Sequence, residues 1–392
     1  MGNHRSFRAE QELLLMPLHA QARLVVPVAA VYGANASGKS NLLDGLRFMA
    51  DTVGDSPGPR YPGNGISRRP FKLDPLAEHE PSIFVVEVVE NGDRYTYGFE
   101  VGDRRVRSEW LYSYQGRSRR LLFERADEQV EFGKTLTGAT SGMNALKDLL
   151  RPDALFLGLA ARANVVALMP AYRWFVHRLT FQSGIPPVDV DRRTVEFLLS
   201  SERERARVVA LSRAADLGFS DVEVVGEGDP RGGSLLLRTA GGAGKRLRWA
   251  ELSAGTRAWL SLLPSVLTVL AEGGTLVVDG IDATLHPLLA ARLIALFRDS
   301  GSNTGGGQLI FTTHDATLLH PPLAERVLDR DEVWFVEKGP TGASTLHPLT
   351  EFGPDTGDNL ERRYLSGAYG AVPDLHEELF DRAVRGGADS PA

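Results

Sequence analysis

The sequence predicts an α/β fold interrupted by an antiparallel β-meander and a helical insertion, and three observations predict it. First, Val31-Tyr32-Gly33-Ala34-Asn35-Ala36-Ser37-Gly38-Lys39-Ser40-Asn41 contains G-x-x-x-x-G-K-S. This phosphate-loop pattern lies between an apolar, β-rich run (Arg23–Tyr32) and a run with apolar residues at helical spacing (Asn41–Asp51). Second, two later apolar runs, Thr275–Val278 and Gln308–Thr313, read as buried strands that end at Asp279 and His314. Third, residues 81–133 alternate as a meander around Asn91-Gly92, the strongest short hairpin signal.

The loop pattern carries specific chemistry. Gly33 and Gly38 allow a tight turn with no Cβ in the way of a phosphate. Successive N–H groups from Ala34, Asn35, Ala36 and Ser37 form an anion nest, and the helix starting near Lys39 adds its positive end. Lys39 can reach the β- and γ-phosphate oxygens, and the Ser40 hydroxyl can ligate Mg²⁺. Only six of the 44 basic residues are lysine, and one stands here.

With 392 residues and 43% hydrophobic content, the chain has ample material for a core and room for two or three domains or one core with insertions. A net charge of −6 excludes a general polycation, so a nucleic-acid site would be a local patch. The lack of cysteine excludes disulfides and thiolate metal sites. Neither Leu260–Leu270 nor Ala154–Pro170 gives about twenty uninterrupted apolar residues. The expectation is a soluble, cytoplasmic protein.

In order, residues 1–30 read as opening strands. Little precedes the loop, as a late start codon that omits a first strand would leave it. Residues 52–80 are loop, rich in Pro, Gly, Asp and Arg. The meander strands are Ser82–Glu90, Arg94–Val101, Val106–Tyr114 and Leu121–Arg125. Arg104, Arg105, Arg107, Arg117, Arg119 and Arg120 fall here, as a solvated sheet face or a phosphate-contacting patch. Asn144–Leu150, Ala154–Ala163, Ala171–Leu179 and Glu202–Leu217 read as helices. Asp221–Val225, Ser234–Arg238 and Lys245–Ala250 return to strand. Ala258–Leu270 and Pro287–Phe297 are helices, and Val333–Val336 with Ser344–Leu346 form a terminal hairpin. The division is a core at 1–55 and 230–350, a meander at 56–133, a helical lobe at 134–229, and a C-terminal segment at 351–392 with a disordered tail.

Thr275–Asp279 has the arrangement in which a strand-end carboxylate shares the Mg²⁺ held by Ser40. Ser253 and Gly255, at a strand-to-helix junction, make either a second anion site or an ordinary N-cap. A histidine at 314 can hydrogen-bond a γ-phosphate or be structural.

The order of these motifs carries a family resemblance. The loop is followed by Leu252-Ser253-Ala254-Gly255-Thr256, the strand ending in Asp279, Asp282 with Leu285-His286-Pro287, and Phe311-Thr312-Thr313-His314-Asp315. This resembles the ABC-type ATPases, above all the stand-alone soluble branch of OLD-like and SMC/RecF-like AAA ATPases. Within that branch it is similar to abortive-infection, anti-phage defence ATPases. Pro70-Phe71-Lys72-Leu73 and Tyr364-Leu365-Ser366-Gly367-Ala368-Tyr369-Gly370-Ala371 add to the likeness.

The resemblance implies a P-loop NTPase of ABC-ATPase type using ATP and Mg²⁺. Ser253 and Gly255 match the signature loop, which contacts the γ-phosphate of ATP held by the other subunit of a head-to-tail homodimer. Asp282 matches the D-loop and His314 the switch histidine, the two catalytic candidates. A separate effector, such as a TOPRIM or RloB-like nuclease, would act beside it. DNA is a possible partner by analogy with SMC and RecF proteins, and a membrane is not. No glutamine stands around residues 60–80 to serve as the Q-loop, and no adenine-stacking residue is assigned. One departure matters: Gly280 follows Asp279 where the family normally has Glu. Another group (His314, Asp282 or Glu251) serves instead, or hydrolysis is slow by nature, or the glycine is a deliberate change.

Overall fold

The computed structural model describes residues 1–17, 24–56, 65–116, 118–134, 136, 140–226, 234–241, 245–320, 327–355 and 357–385. Arg117, most of the Gly-rich turn after Thr239 and the tail from residue 386 lie outside them.

Strand β1 (Val28–Tyr32) is buried along its whole length and leads into helix α1 (Lys39–Asp55). The meander follows as β2 (Ser82–Glu90), β3 (Asp93–Val101), β4 (Val106–Gln115), β5 (Ser118–Ala126) and β6 (Gln129–Phe132). Asn91 and Gly92 turn β2 into β3 at φ 54° and 84°, the left-handed pair that suits a twisted two-residue hairpin. Helices α2 (Thr140–Leu149), α3 (Phe156–Arg162) and α4 (Met169–Arg173) come next. A π-turn, Trp174–Arg178, leads from α4 directly into β7 (Leu179–Ser183). Then come α5 (Arg192–Ser200), α6 (Glu202–Ala214), β8 (Phe219–Val225), β9 (Ser234–Thr239) and β10 (Arg246–Arg248). The chain continues through α7 (Ala254–Glu272), β11 (Thr275–Asp279), α8 (Pro287–Arg298) and β12 (Gln308–Thr313). It ends with β13 (Val333–Lys338), β14 (Ser344–Pro348), α9 (Leu360–Leu365) and α10 (Glu377–Val384).

The main sheet has the order β14-β13-β1-β12-β11-β7. Its pairings are parallel except the β13–β14 edge. Two antiparallel sheets, β2-β3-β4-β5-β6 and β10-β9-β8, flank it. The main strands are apolar on both faces because both are covered. Val28, Ala30, Leu276, Val278, Leu309 and Phe311 join one core with α7 and α8; the alternating Ala29, Val277 and Ile310 join another with α1 and the meander. Helix α7 is long and apolar enough to cross a membrane by length and composition, yet two-thirds of its apolar window is buried in this core.

Two sequence expectations change. Among the described residues of 1–30 there is no strand before β1 beyond the isolated bridges Gly2 to Ile83 and His4 to Phe7. Asn3 and Arg5 curl the chain at φ 49° and 51°, and the Asn3 amide donates to the carbonyls of Ala77 and Glu80. Residues 171–178 are helical as expected, α to Arg173 and π from Trp174 to Arg178, but a strand unforeseen in the sequence follows at once. The chain switches to strand at Leu179 and lays β7 against β11, so the stretch 134–229 supplies an edge of the main sheet.

The meander is fastened to α3 by a buried carboxylate. Glu109 accepts from the Phe156 and Leu157 amides at 2.6 and 2.9 Å and from Tyr97 Oη at 2.9 Å. Arg125 lies 3.8 Å away and donates to the Asp127 carbonyl at 2.7 Å. Burial pushes the Glu109 carboxyl above its usual range, with the Arg125 charge and the Leu157 and Phe156 amides opposing. Glu109→Ala leaves a buried guanidinium uncompensated. It is expected to lower the unfolding free energy in urea by about 3–5 kcal/mol; a loss near zero would show that the carboxylate does not fasten the two layers.

Candidate functional site

The carboxyl ends of β1, β11, β12 and β7 lie side by side, and the chemistry gathers there. After β1 the chain turns through Ala36 at φ 63° and Gly38 at φ 118°, and Gly38 caps α1. A Cβ at Gly33 would stand 2.5 Å from Ser37 Oγ and 2.6 Å from the Val336 carbonyl, and one at Gly38 would strike Ser344 Oγ. Both glycines are therefore also required by the packing of the loop against the β13–β14 hairpin. Ser344 Oγ donates to the Ser37 carbonyl and accepts from Ser6 Oγ at 2.8 Å, and Asn41 Nδ2 donates to Ser6 Oγ at 2.8 Å. Asn41 thus braces the loop through Ser6.

Lys39 Nζ donates to the Gly33 and Ala34 carbonyls at 2.8 and 3.0 Å. Burial lowers its pKa, while the charges of Asp282 and Asp279 act to raise it. Ala34 is half-buried, and Asn35, Ala36 and Ser40 are exposed, so the loop opens to solvent. Ser37 Oγ is buried without a hydrogen-bond partner.

Asp279 Oδ1 accepts from Ser40 Oγ at 3.0 Å and from Thr312 Oγ1 at 2.7 Å, and Thr312 Oγ1 accepts from the Gly280 amide at 2.7 Å. Beside it, Asp282 Oδ2 accepts from the His314 amide at 3.0 Å and lies 3.9 Å from His314 Nε2. Asp282 Oδ1 is buried and unpartnered. A cleft of about 260 Å³ adjoins Ser40 and Asp279, and its wall includes Arg5, Arg47, Phe181 and Gln182. Gln182 stands opposite Val278 in the β7–β11 ladder and donates to Ser265 Oγ at 3.0 Å. It brings a glutamine to the cleft wall, from a strand the sequence reading did not find. Its signal was the Leu179-Thr180-Phe181-Gln182 run ending near Gly184, hidden when the preceding helix was read through Leu179.

These residues fit a nucleoside triphosphate and Mg²⁺. Ser40 and Asp279 offer hard oxygen donors at one corner, and Ser37 Oγ has a hydrogen-bonding capacity to spare. Among the described residues no three His, Cys, Asp or Glu side chains group as a metal cage. Magnesium needs none, since it is held by one or two protein oxygens plus water and phosphates.

Ser253 caps α7, accepting from the Thr256 amide at 3.1 Å, with the two hydroxyls 2.9 Å apart. It is exposed at the start of a 19-residue helix. A Cβ on Gly255 would lie 3.0 Å from the Thr284 carbonyl, so this turn rests on the segment after β11. Glu251 is engaged elsewhere, accepting from the Arg248 amide at 2.7 Å. In the meander, Arg105 and Arg107 each stand 3.8 Å from Asp127, and Arg119 covers the Tyr112 ring at 4.5 Å. These contacts suit a solvated sheet face.

Fold and site together define an α/β domain of P-loop type. A family profile described as "AAA domain, putative AbiEii toxin, Type IV TA system" matches residues 28–137 and 174–320, and the chain belongs to that family. No curated protein matches it. Among solved structures it is similar to an SMC head domain from Thermotoga maritima, with 16% identity and TM-score 0.39 over 82% of this chain and 89% of that one. It is also similar to an Smc head with an extended coiled coil bound to the C-terminal domain of ScpA from Pyrococcus furiosus. There the identity is 14% and the TM-score 0.38, over 83% of this chain and 91% of that one.

Gly280 sits at φ 72° with its nearest obstacle, the Ala283 methyl, 3.6 Å from where a Cβ would be. The position resists a side chain through backbone conformation, not lack of room. Gly280→Ala is expected to cost about 1–2 kcal/mol of folding stability by urea titration; a neutral result would show that the turn adjusts freely. Lys39→Ala is expected to weaken ATP binding about 10- to 100-fold through loss of charged hydrogen bonds. Calorimetric titration in Mg²⁺ checks this, and unchanged affinity would remove Lys39 from the site.

Proposed function

We propose that the chain binds ATP with Mg²⁺ and works as a nucleotide-gated switch, two copies closing head to tail on two nucleotides. The observation that carries this reading is the separation of two solvent-facing half-sites. One is the loop with Ser40 and Asp279; the other is the exposed Ser253–Gly255 turn at the start of α7. A helix N-terminus has orphan N–H groups and a positive end, so the second half-site suits the terminal phosphate of a nucleotide held by a facing copy.

In this reading Gly33 to Ser37 wrap the phosphates, Lys39 neutralises the β- and γ-oxygens, and Ser40 with Asp279 hold Mg²⁺. When bound, the metal neutralises charge that builds on the transferring phosphoryl group. Thr312 fixes the orientation of Asp279. Asp282 and His314 are placed to orient a water. The family description supports a role in toxin–antitoxin or abortive-infection defence; in this reading the protein acts in the cytoplasm and a separate effector reads the closed state.

A second reading is favoured by Gly280. Without a general base, turnover falls about 10²- to 10⁴-fold, and ATP then serves mainly as the ligand that holds the pair shut. Light scattering separates these readings from a monomeric binder. Mg²⁺-ATP is expected to convert wild-type protein to a dimer, and Ser253→Arg should stay monomeric while still binding ATP through its own loop. A wild-type protein that binds ATP and never pairs would sink the switch. Phosphate release above the Lys39→Ala background distinguishes a cycling switch from a static clamp.

A further inference from the structure

We propose that the cleft along α1 is a second anion site, which holds inorganic phosphate on Arg47 beside the loaded nucleotide. The inference rests on the nucleotide-binding reading above and deepens it. It gives the closed pair a seat for the phosphate that is released, with ADP, when water cleaves ATP.

The cleft, about 260 Å³, runs from Ser40 and Asp279 along α1. A water takes up about 30 Å³ in the liquid, so a phosphate with its hydration fits. Ser40, Leu43, Asp44 and Arg47 line it at i, i+3, i+4 and i+7, the spacing of one helix face. Seven residues at about 1.5 Å each carry Arg47 roughly 10 Å along the axis from Ser40. Arg47 therefore serves a position deeper in the cleft than the phosphates wrapped by the loop.

The two arginines of the wall differ. Arg5 is committed: its Nε and Nη2 donate to the two oxygens of Asp44. His4 Nε2 meets Asp44 Oδ2 at 2.9 Å, and Arg69 Nη1 lies 3.7 Å from Oδ1. Arg47 is exposed and has no ion-pair partner among the described residues. Its guanidinium lies 4.6 Å over the Phe181 ring, which holds the cation without neutralising it. Mg²⁺ at Ser40 and Asp279 would offset the Asp279 charge, and Asp44 is already met by Arg5. Arg47 is then left as uncompensated positive charge in a walled cleft, where an anion is attracted.

The position answers a need of the closed pair. The partner's signature turn would cover the terminal phosphate from outside, so phosphate freed between the copies cannot leave by the mouth of the loop. The cleft wall includes Ser40 and Asp279 but none of residues 33–37, so it leads away from the metal corner on another side. A guanidinium lying flat on a ring keeps its N–H edge free, and that edge matches the oxygens of a phosphate.

The test uses the full chain saturated with Mg²⁺ and the β,γ-imido analogue of ATP, which fills the γ position and needs no turnover. In equilibrium dialysis against radiolabelled inorganic phosphate, wild type is expected to take up about one phosphate per chain and Arg47→Gln to bind it about ten-fold more weakly. Arg69→Gln, which removes a nearby charge outside the wall, should match wild type. Arginine and glutamine have similar helix propensity, so the urea midpoint of Arg47→Gln stays unchanged. No uptake by wild type, equal uptake in Arg47→Gln, or an equal loss in Arg69→Gln would each overturn the inference. Calorimetry of the analogue is read separately: a wild type that does not bind it would overturn the nucleotide reading and this one together.

Discussion

Parallel pairing of β1, β12, β11 and β7 is the constraint on which the rest of the molecule depends. Parallel strands in register place their carboxyl ends on one edge, so residues distant in the chain become neighbours there. Ser40 and Thr312 both donate to one oxygen of Asp279 because β1 and β11 are the two partners of β12. Shifting β12 by one residue would turn Thr312 away and leave that carboxylate half-supported.

Much of this was legible because its signals are local. The glycine spacing, the strand-end Asp279, the Ser253 cap and the Asn91-Gly92 turn each act within a few residues. What escaped depends on contacts that sequence distance conceals. Gln182 joins the site because β7 pairs with β11, and nothing near residue 182 reports that pairing. Ser6 and Ser344 brace the loop from opposite ends of the chain. Strand β7 escaped because the helix over 169–178 passes straight into it with no Gly or Pro to mark the change. Thr312 stood inside a recognised motif, but its hydrogen bonds to Asp279 and Gly280 required coordinates.

Gly280 and Asp282 bear on the chemistry together. Glycine at positive φ lets the backbone after β11 turn sharply, and two residues later Asp282 points one oxygen at the His314 amide. The other oxygen is buried without a partner. An unsatisfied buried carboxylate oxygen is costly, and it stands beside His314, with its charge acting on Lys39. The turn that excludes one acidic side chain thereby presents another to the same corner.

The Ser6–Ser344 clasp behind Gly38 also bears on biogenesis. A ribosome that has made the G-K-S signature, and even both metal-side strands, has not yet made the hydroxyl that braces it. Until β14 emerges and folds back on the first residues, the nascent loop lacks its rear wall. The nascent loop would thus lack its full bracing until β14 has been made.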